Sequence, residues 1–149
     1  MDLFENASKG RVSPGTPLAE ILRPQKIADI LGQQKFLAPG SALRKQIEAG
    51  RIPSLIIWGP PGSGKTTFAK ALAEHIDAEF VVCNAIETGA KLLRELGDAA
   101  KNRRQMHNRQ TLIFVDEIHR LNKAQQDVLL PFVEKGDFAL VGATTENPS

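Results

Sequence analysis

A three-layer α/β sandwich built on a mostly parallel sheet is the fold class this sequence predicts, and three observations carry it. Four short runs, Leu55-Ile56-Ile57-Trp58, Phe80-Val81-Val82-Cys83, Leu112-Ile113-Phe114-Val115 and Phe138-Ala139-Leu140-Val141, are apolar at nearly every position, as strands covered on both faces must be. Stretches of helical period lie between them, so strand and helix alternate and each crossover delivers the chain to a parallel neighbour. At 149 residues, with 42% hydrophobic and 24% charged residues, the chain has the length and balance of one ordinary core.

Taken in order, residues 1–17 hold Gly10, Pro14, Gly15 and Pro17 without a sustained period and read as a tail or extended strap. The core is expected to span residues 18–149. It opens with a small apolar group, Leu18, Ile21 and Leu22, broken at Arg23-Pro24; Ile27, Ile30 and Leu31 follow, stopped by Gly32-Gln33. Ser41 to Ala49 forms the next helix, closed by Gly50. Behind the first strand a helix runs from Lys65 to Ile76 and faces the sheet through Phe68, Leu72 and Ile76. Another covers about Lys91 to Arg104. The last, Lys123 to Glu134, has Asn122 as its cap and Gly136 past its end. Pro131 inside it removes an intrahelical hydrogen bond and is expected to bend or shorten it.

Charge and cysteine usage exclude several classes. Nineteen basic residues against seventeen acidic ones leave a formal +2, too little for binding nucleic acid or anionic membrane by charge alone. No apolar run approaches the roughly 20 residues that span a bilayer. The first ten residues have neither the basic start nor the apolar stretch of a signal peptide, and the single Cys83 cannot form an internal disulfide, so a cytoplasmic protein is expected. Cys83 reads as a small buried hydrophobe in a strand. His75, His107 and His119 have no partners at metal-ligand spacing.

The segment Gly59-Pro60-Pro61-Gly62-Ser63-Gly64-Lys65-Thr66 matches G-x-x-x-x-G-K-[ST] in full, after a strand and before a helix. Glycines let successive N–H groups turn inward around phosphate oxygens, and the positive end of the following helix adds to the field. Lys65 is placed to neutralise the β and γ phosphates and Thr66 to ligate magnesium; Thr67 either backs up the α phosphate or caps the helix. The chemistry is that of a P-loop NTPase binding ATP with Mg2+. The run Leu112 to Val115 then delivers Asp116 and Glu117 at a strand's carboxyl end, where open α/β sheets bind ligands. Asp116 is expected to hold the metal, and Glu117 to orient and polarise the attacking water. After the fourth strand, Gly142-Ala143-Thr144-Thr145-Glu146-Asn147 reads either as a sensor of the γ phosphate or as a polar loop.

With these motifs in hand, GPPGSGKTT, IFVDEIHRLNKAQQDVLLPFVEKG and the terminal GATTENPS resemble the family of replication-associated recombination protein A and the Werner-helicase-interacting ATPases. The stretch RPQKIADILGQ, Arg23 to Gln33, looks like that family's N-terminal strap, so the resemblance covers about Leu18 to Ser149. It implies an AAA+ ATPase of the clamp-loader clade, a homo-oligomer acting on DNA that is single-stranded, gapped or forked, with single-stranded DNA-binding protein as partner and a nucleoid-associated cytoplasmic location. Residue by residue, it implies a nucleotide-binding role for Gly59 to Thr67, catalytic roles for Lys65 and Glu117, metal roles for Thr66 and Asp116, and a sensor role for Thr145. Arg23, Pro24, Ile30, Gly32 and Gln33 would line the adenine pocket. Asn84, ending the second strand, reads either as a residue that holds the catalytic glutamate inactive or as an ordinary strand-ending Asn.

The family continues into a fifth core strand, an arginine that reaches a neighbouring subunit and a helical lid, so this chain is expected to be a piece truncated before them. An arginine supplied in trans is worth about 10³ to 10⁵ in rate in comparable NTPases, roughly 4 to 7 kcal/mol, so the piece is expected to bind nucleotide and turn it over poorly. Its first strand is expected to lie on an unprotected sheet edge that invites self-association. Met1-Asp2-Leu3-Phe4 resembles the end of a sliding-clamp-binding peptide without its leading glutamine, or is a disordered start. Lys101, Arg103, Arg104, His107 and Arg109 form either a DNA-facing patch or a solvated face; no aromatic residues are interleaved with them. Three rivals stand beside this reading: an interaction module that ATP binding merely triggers, another clamp-loader-like or branch-migration AAA+ ATPase, and a small-molecule kinase, against which the paired acids argue.

Overall fold

The computed structural model describes residues 17–32, 42–49 and 52–148. The elements follow one another as α1 (Pro17–Ile21), β1 (Arg23–Lys26), α2 (Ile27–Gly32), α3 (Ala42–Glu48), β2 (Leu55–Trp58), α4 (Lys65–His75), β3 (Glu79–Asn84), α5 (Ala90–His107), β4 (Thr111–Asp116), α6 (Lys123–Lys135) and β5 (Ala139–Thr144). A single 3-10 turn, Ile118–Arg120, joins β4 to α6. All five strands are parallel, in the order β1-β2-β5-β4-β3.

The apolar strands sort their side chains by a period of two. Ile56, Ile113, Val115 and Leu140 face one layer with Leu18, Leu22, Leu93, Ala100 and Leu129. Ile57, Leu112, Phe114, Val141 and Ala143 face the other with Ile27, Ile47, Phe68, Ala69 and Leu72. One core therefore lies under α1, α5 and α6 and a second under α2, α3 and α4, which is the expected three-layer sandwich. Helix α6 runs through Pro131 to Lys135, so the expected shortening does not occur. Its start is held by a reciprocal capping box: Asn122 Oδ1 accepts from the Gln125 N–H at 2.9 Å and Gln125 Oε1 accepts from the Asn122 N–H at 2.8 Å.

The sheet edge differs from expectation. Four strands were legible in the apolar runs; the fifth, β1, is Arg-Pro-Gln-Lys and pairs in register with β2, Arg23 opposite Leu55 and Lys26 opposite Trp58. The strand leading to the phosphate motif is therefore interior, between β1 and β5. Polar residues and a proline are what an edge strand tolerates, because its outer N–H groups need no ladder partner, and such short charged edges discourage further pairing. The expectation of an open apolar edge on that side is thereby corrected.

Candidate nucleotide site

The loop after β2 is anchored at its base: the Gly59 N–H donates to the Thr144 carbonyl at 3.1 Å, continuing the β2–β5 pairing by one residue. Gly62 and Gly64 then take φ of +73° and +93°, conformations that L side chains rarely adopt, and these turn the backbone onto the amino end of α4. Gly64 caps that helix without any side-chain hydrogen bond, so its first N–H groups are left for an external acceptor. Lys65 Nζ donates to the carbonyls of Gly59 at 2.7 Å and Pro60 at 2.9 Å. Burial pulls the Lys65 ammonium below its ordinary pKa, against the opposing pull of the Asp116 and Glu117 carboxylates. The ammonium thus sits where negative charge is welcome.

β4 brings the two carboxylates to the same place. A cavity of about 420 Å³ is lined by Pro61 to Thr67, Phe114, Asp116, Glu117, Thr144 and Thr145. Glu117 has φ +54°, uncommon for a residue with a side chain, and is held there by its neighbours: its N–H donates to Asp116 Oδ1 at 2.9 Å and its carbonyl accepts from the Arg120 N–H at 2.9 Å. Thr66 and Asp116 in one cavity offer a hydroxyl and a carboxylate, with room for phosphate oxygens and water. That donor set suits Mg2+, which keeps waters and takes one or two carboxylates; among the described residues no cluster of three His, Cys, Asp or Glu forms a closed metal cage.

Two residues enter in a contact that the sequence did not signal. Glu117 Oε2 lies 3.2 Å from Nε2 of His119, and Nδ1 of the same ring lies 2.8 Å from Oγ1 of Thr144. Both His119 and Thr144 are buried, whereas Thr145 is exposed on the cavity wall. Spacing alone offered no signal for His119. Its contact with Thr144 depends on how close β5 comes to the turn after β4: a Cβ on Gly142 would lie 2.1 Å from Ile118 Cδ1.

The residues expected around the adenine fall in separate elements. Arg23 and Pro24 lie in β1 level with Leu55 and Ile56, while Lys26 is level with Trp58, the end of β2 from which the phosphate loop departs. Arg23 lines a separate cavity with Ile21, Gln46, Pro53 and Ser54. Ile30 is a core residue of the layer that holds Phe68 and Leu72, Gly32 ends α2, and Gln33 lies outside the described residues, as does Met1 to Phe4. Ile27, between these residues, packs against the phosphate loop: a Cβ on Gly59 would come to 2.3 Å from Ile27 Cγ2.

Several other candidates make contacts within the fold. Asn84 Oδ1 accepts from the Ile86 N–H at 2.8 Å, a turn of its own after β3. Gln125 Nε2 donates to the carbonyls of Ala85 and Thr88, both at 2.8 Å, clipping α6 to that turn. In the basic run, Arg103 donates to Thr111, Arg104 pairs with buried Asp137 and Arg109 with Glu79. Cys83 is buried and its thiol is pushed up to about 11 by that burial, which fits an inert strand residue. No helix among the described residues is long and apolar enough to cross a membrane.

A parallel sheet of this order, with a lysine-bearing glycine loop after an interior strand and paired acids at the end of the strand two places away, defines a P-loop nucleoside triphosphatase fold. The family model for the ATPase family associated with various cellular activities (AAA) matches residues 55–149. The chain belongs to that family.

Over 133 residues it is 47% identical to replication-associated recombination protein A of Escherichia coli strain K12, a match covering 89% of this chain and 30% of that protein. It is 44% identical to ATPase WRNIP1 of Dictyostelium discoideum over 89% of this chain and 15% of that protein. Among solved structures, the Thermotoga maritima RuvB Holliday junction branch migration motor matches with a TM-score of 0.59 at 28% identity, covering 79% of this chain and 38% of that one. The chain spans less than a third of the length of these curated relatives.

Proposed function

We propose that this chain is the ATP-binding core of a DNA-dependent AAA+ ATPase working in replication, recombination and repair. The observation that supports the chemistry best is the single cavity in which the glycine loop, Lys65, Thr66, Asp116, Glu117 and Thr145 meet from three separate parts of the chain. The triphosphate lies against the N–H groups at the start of α4, and Lys65 turns its donors from the loop carbonyls to the β and γ phosphates. Thr66 and Asp116 would hold a magnesium ion, which would supply charge neutralisation for the phosphates. Glu117 orients a water in line with the γ phosphate and draws on its proton; Thr145 senses that phosphate. The nucleic-acid role rests on the relatives' names. It extends to single-stranded, gapped or forked DNA, a homo-oligomer, single-stranded DNA-binding protein and the sliding clamp as partners, and a nucleoid-associated cytoplasmic location.

ATP binding to this chain and to its Lys65→Ala variant tests the first half. Loss of the ammonium should weaken binding about 10- to 100-fold, the range for hydrogen bonds to a charged group. Steady-state hydrolysis by the protein that carries this chain, with and without gapped DNA, tests the second. Glu117→Gln should still bind ATP and lose at least about 100-fold in kcat. If wild type binds ATP but neither turns it over nor responds to DNA, the nucleotide-triggered interaction module replaces the ATPase reading. Absence of ATP binding altogether would remove both.

A further inference from the structure

The contact between Glu117 and His119 is one step of a longer chain. The Glu146 N–H donates to Thr144 Oγ1 at 3.1 Å, Thr144 Oγ1 lies 2.8 Å from His119 Nδ1, and His119 Nε2 lies 3.2 Å from Glu117 Oε2. Protons can be placed along it. An ionised carboxylate only accepts, so the hydrogen in the last contact belongs to Nε2. A neutral imidazole protonated at Nε2 offers a lone pair at Nδ1, which the Thr144 hydroxyl fills with its own proton while receiving one from Glu146. Every donor then faces an acceptor, in one direction, ending at Glu117.

A buried histidine often satisfies its ring nitrogens on whatever carbonyl is near. Here both nitrogens are spent on groups that line the phosphate cavity, one from β5 and one from the turn after β4. His119 is 6% exposed and Thr144 1%, so their mutual contact is shielded from water, while the Glu117 carboxylate stays open to the cavity. Through its carbonyl Thr144 also receives the Gly59 N–H, and Thr145 follows it in sequence. The base of the phosphate loop, the cavity residue Thr145 and, through His119, the carboxylate are therefore joined at one threonine.

We propose that His119 is a positioning residue for ATP hydrolysis: the Thr144 hydroxyl orients its ring, and the ring holds the Glu117 carboxylate in place, so the end of β5 sets where that carboxylate points. The inference rests on the reading of Glu117 as the group that orients the attacking water. Its chemistry is orientation, with no proton passed along the chain.

Side-chain length separates positioning from mere packing. An asparagine at 119 can reach where Nδ1 sits but not where Nε2 sits, whereas a glutamine amide nitrogen reaches the Nε2 position. In the protein that carries this chain, His119→Asn and Thr144→Val should lower kcat about 10- to 100-fold, the size of effect for a misplaced catalytic group, with KM and ATP affinity changed no more than about twofold. His119→Gln and Thr144→Ser should recover most of that loss.

Unchanged kcat in His119→Asn and Thr144→Val, in an enzyme that Glu117→Gln inactivates, overturns the inference and leaves the ATPase reading standing. Turnover that survives Glu117→Gln overturns the reading itself and the inference with it. Nitrogen NMR of the histidine side chains in the 149-residue chain gives a test independent of turnover. His119 should show a protonated Nε2 and an accepting Nδ1, and Thr144→Val should disturb that signature; a proton on Nδ1 in place of Nε2 would overturn the assignment.

Discussion

Replacing Gly142 by alanine should disturb this molecule more than a single methyl suggests. The added Cβ would sit 2.1 Å from Ile118 Cδ1 and 2.9 Å from both its Cβ and Cγ1. A new rotamer can remove Cδ1, but the Cβ contact is tied to the backbone of the turn, and Ile118 has no exposed surface to move into. Overpacking of this kind costs about 1 to 3 kcal/mol, and for a chain of this size about 2 kcal/mol lowers Tm by roughly 4 to 8 °C. Because Ile118 lies between Glu117 and His119, the same shift should lower turnover more than ATP affinity. Thermal and urea melts of wild type, Gly142→Ala, Ile118→Val and the double variant check the reasoning. Ile118→Val alone should cost about 0.5 to 1.5 kcal/mol, and the double variant should be more stable than the sum by about 1 kcal/mol, because the atom that clashes hardest is gone. A Gly142→Ala chain that melts with wild type, or strict additivity in the cycle, would refute the close approach of β5 to the turn.

Asn122→Ala should cost about 1 kcal/mol by removing the cap of α6, measured by urea unfolding, while Asn122→Asp should cost less because its carboxylate still accepts. Arg104→Ala leaves the buried Asp137 carboxylate without its partner and should destabilise by about 2 kcal/mol, less than for a fully buried pair since Arg104 reaches solvent; Arg104→Ala with Asp137→Asn should recover part of the loss. With its thiol raised to about 11, Cys83 should be only about one part in a thousand thiolate at pH 8 and should resist iodoacetamide in the folded chain while reacting promptly in urea, as mass spectrometry would show.

The phosphate loop and the two carboxylates were legible because each is a local device. The glycines at 62 and 64 supply their own backbone angles, and Lys65 and Thr66 begin the helix that follows them. Asp116 and Glu117 end a strand whose four apolar residues announce it. The cap of α6 was equally readable, since Asn122 and Gln125 bond to each other across three residues. The strand β1 was not, because Arg-Pro-Gln-Lys has no apolar alternation; it becomes a strand only by lying against β2.

What the sequence determined on its own is thus the family, the layered sheet and the places of its glycine loop and paired acids in that sheet, all set by contacts within a few residues or by hydrophobic period. Which side chains meet those groups was decided by the tertiary structure. His119 and Thr144 are 25 residues apart and touch because β5 lies beside β4, and Ile27 packs against the phosphate loop because β1, which precedes it, takes the edge next to β2. Strand order and register are collective properties of the core, settled by many weak packing interactions at once, and no short motif encodes them.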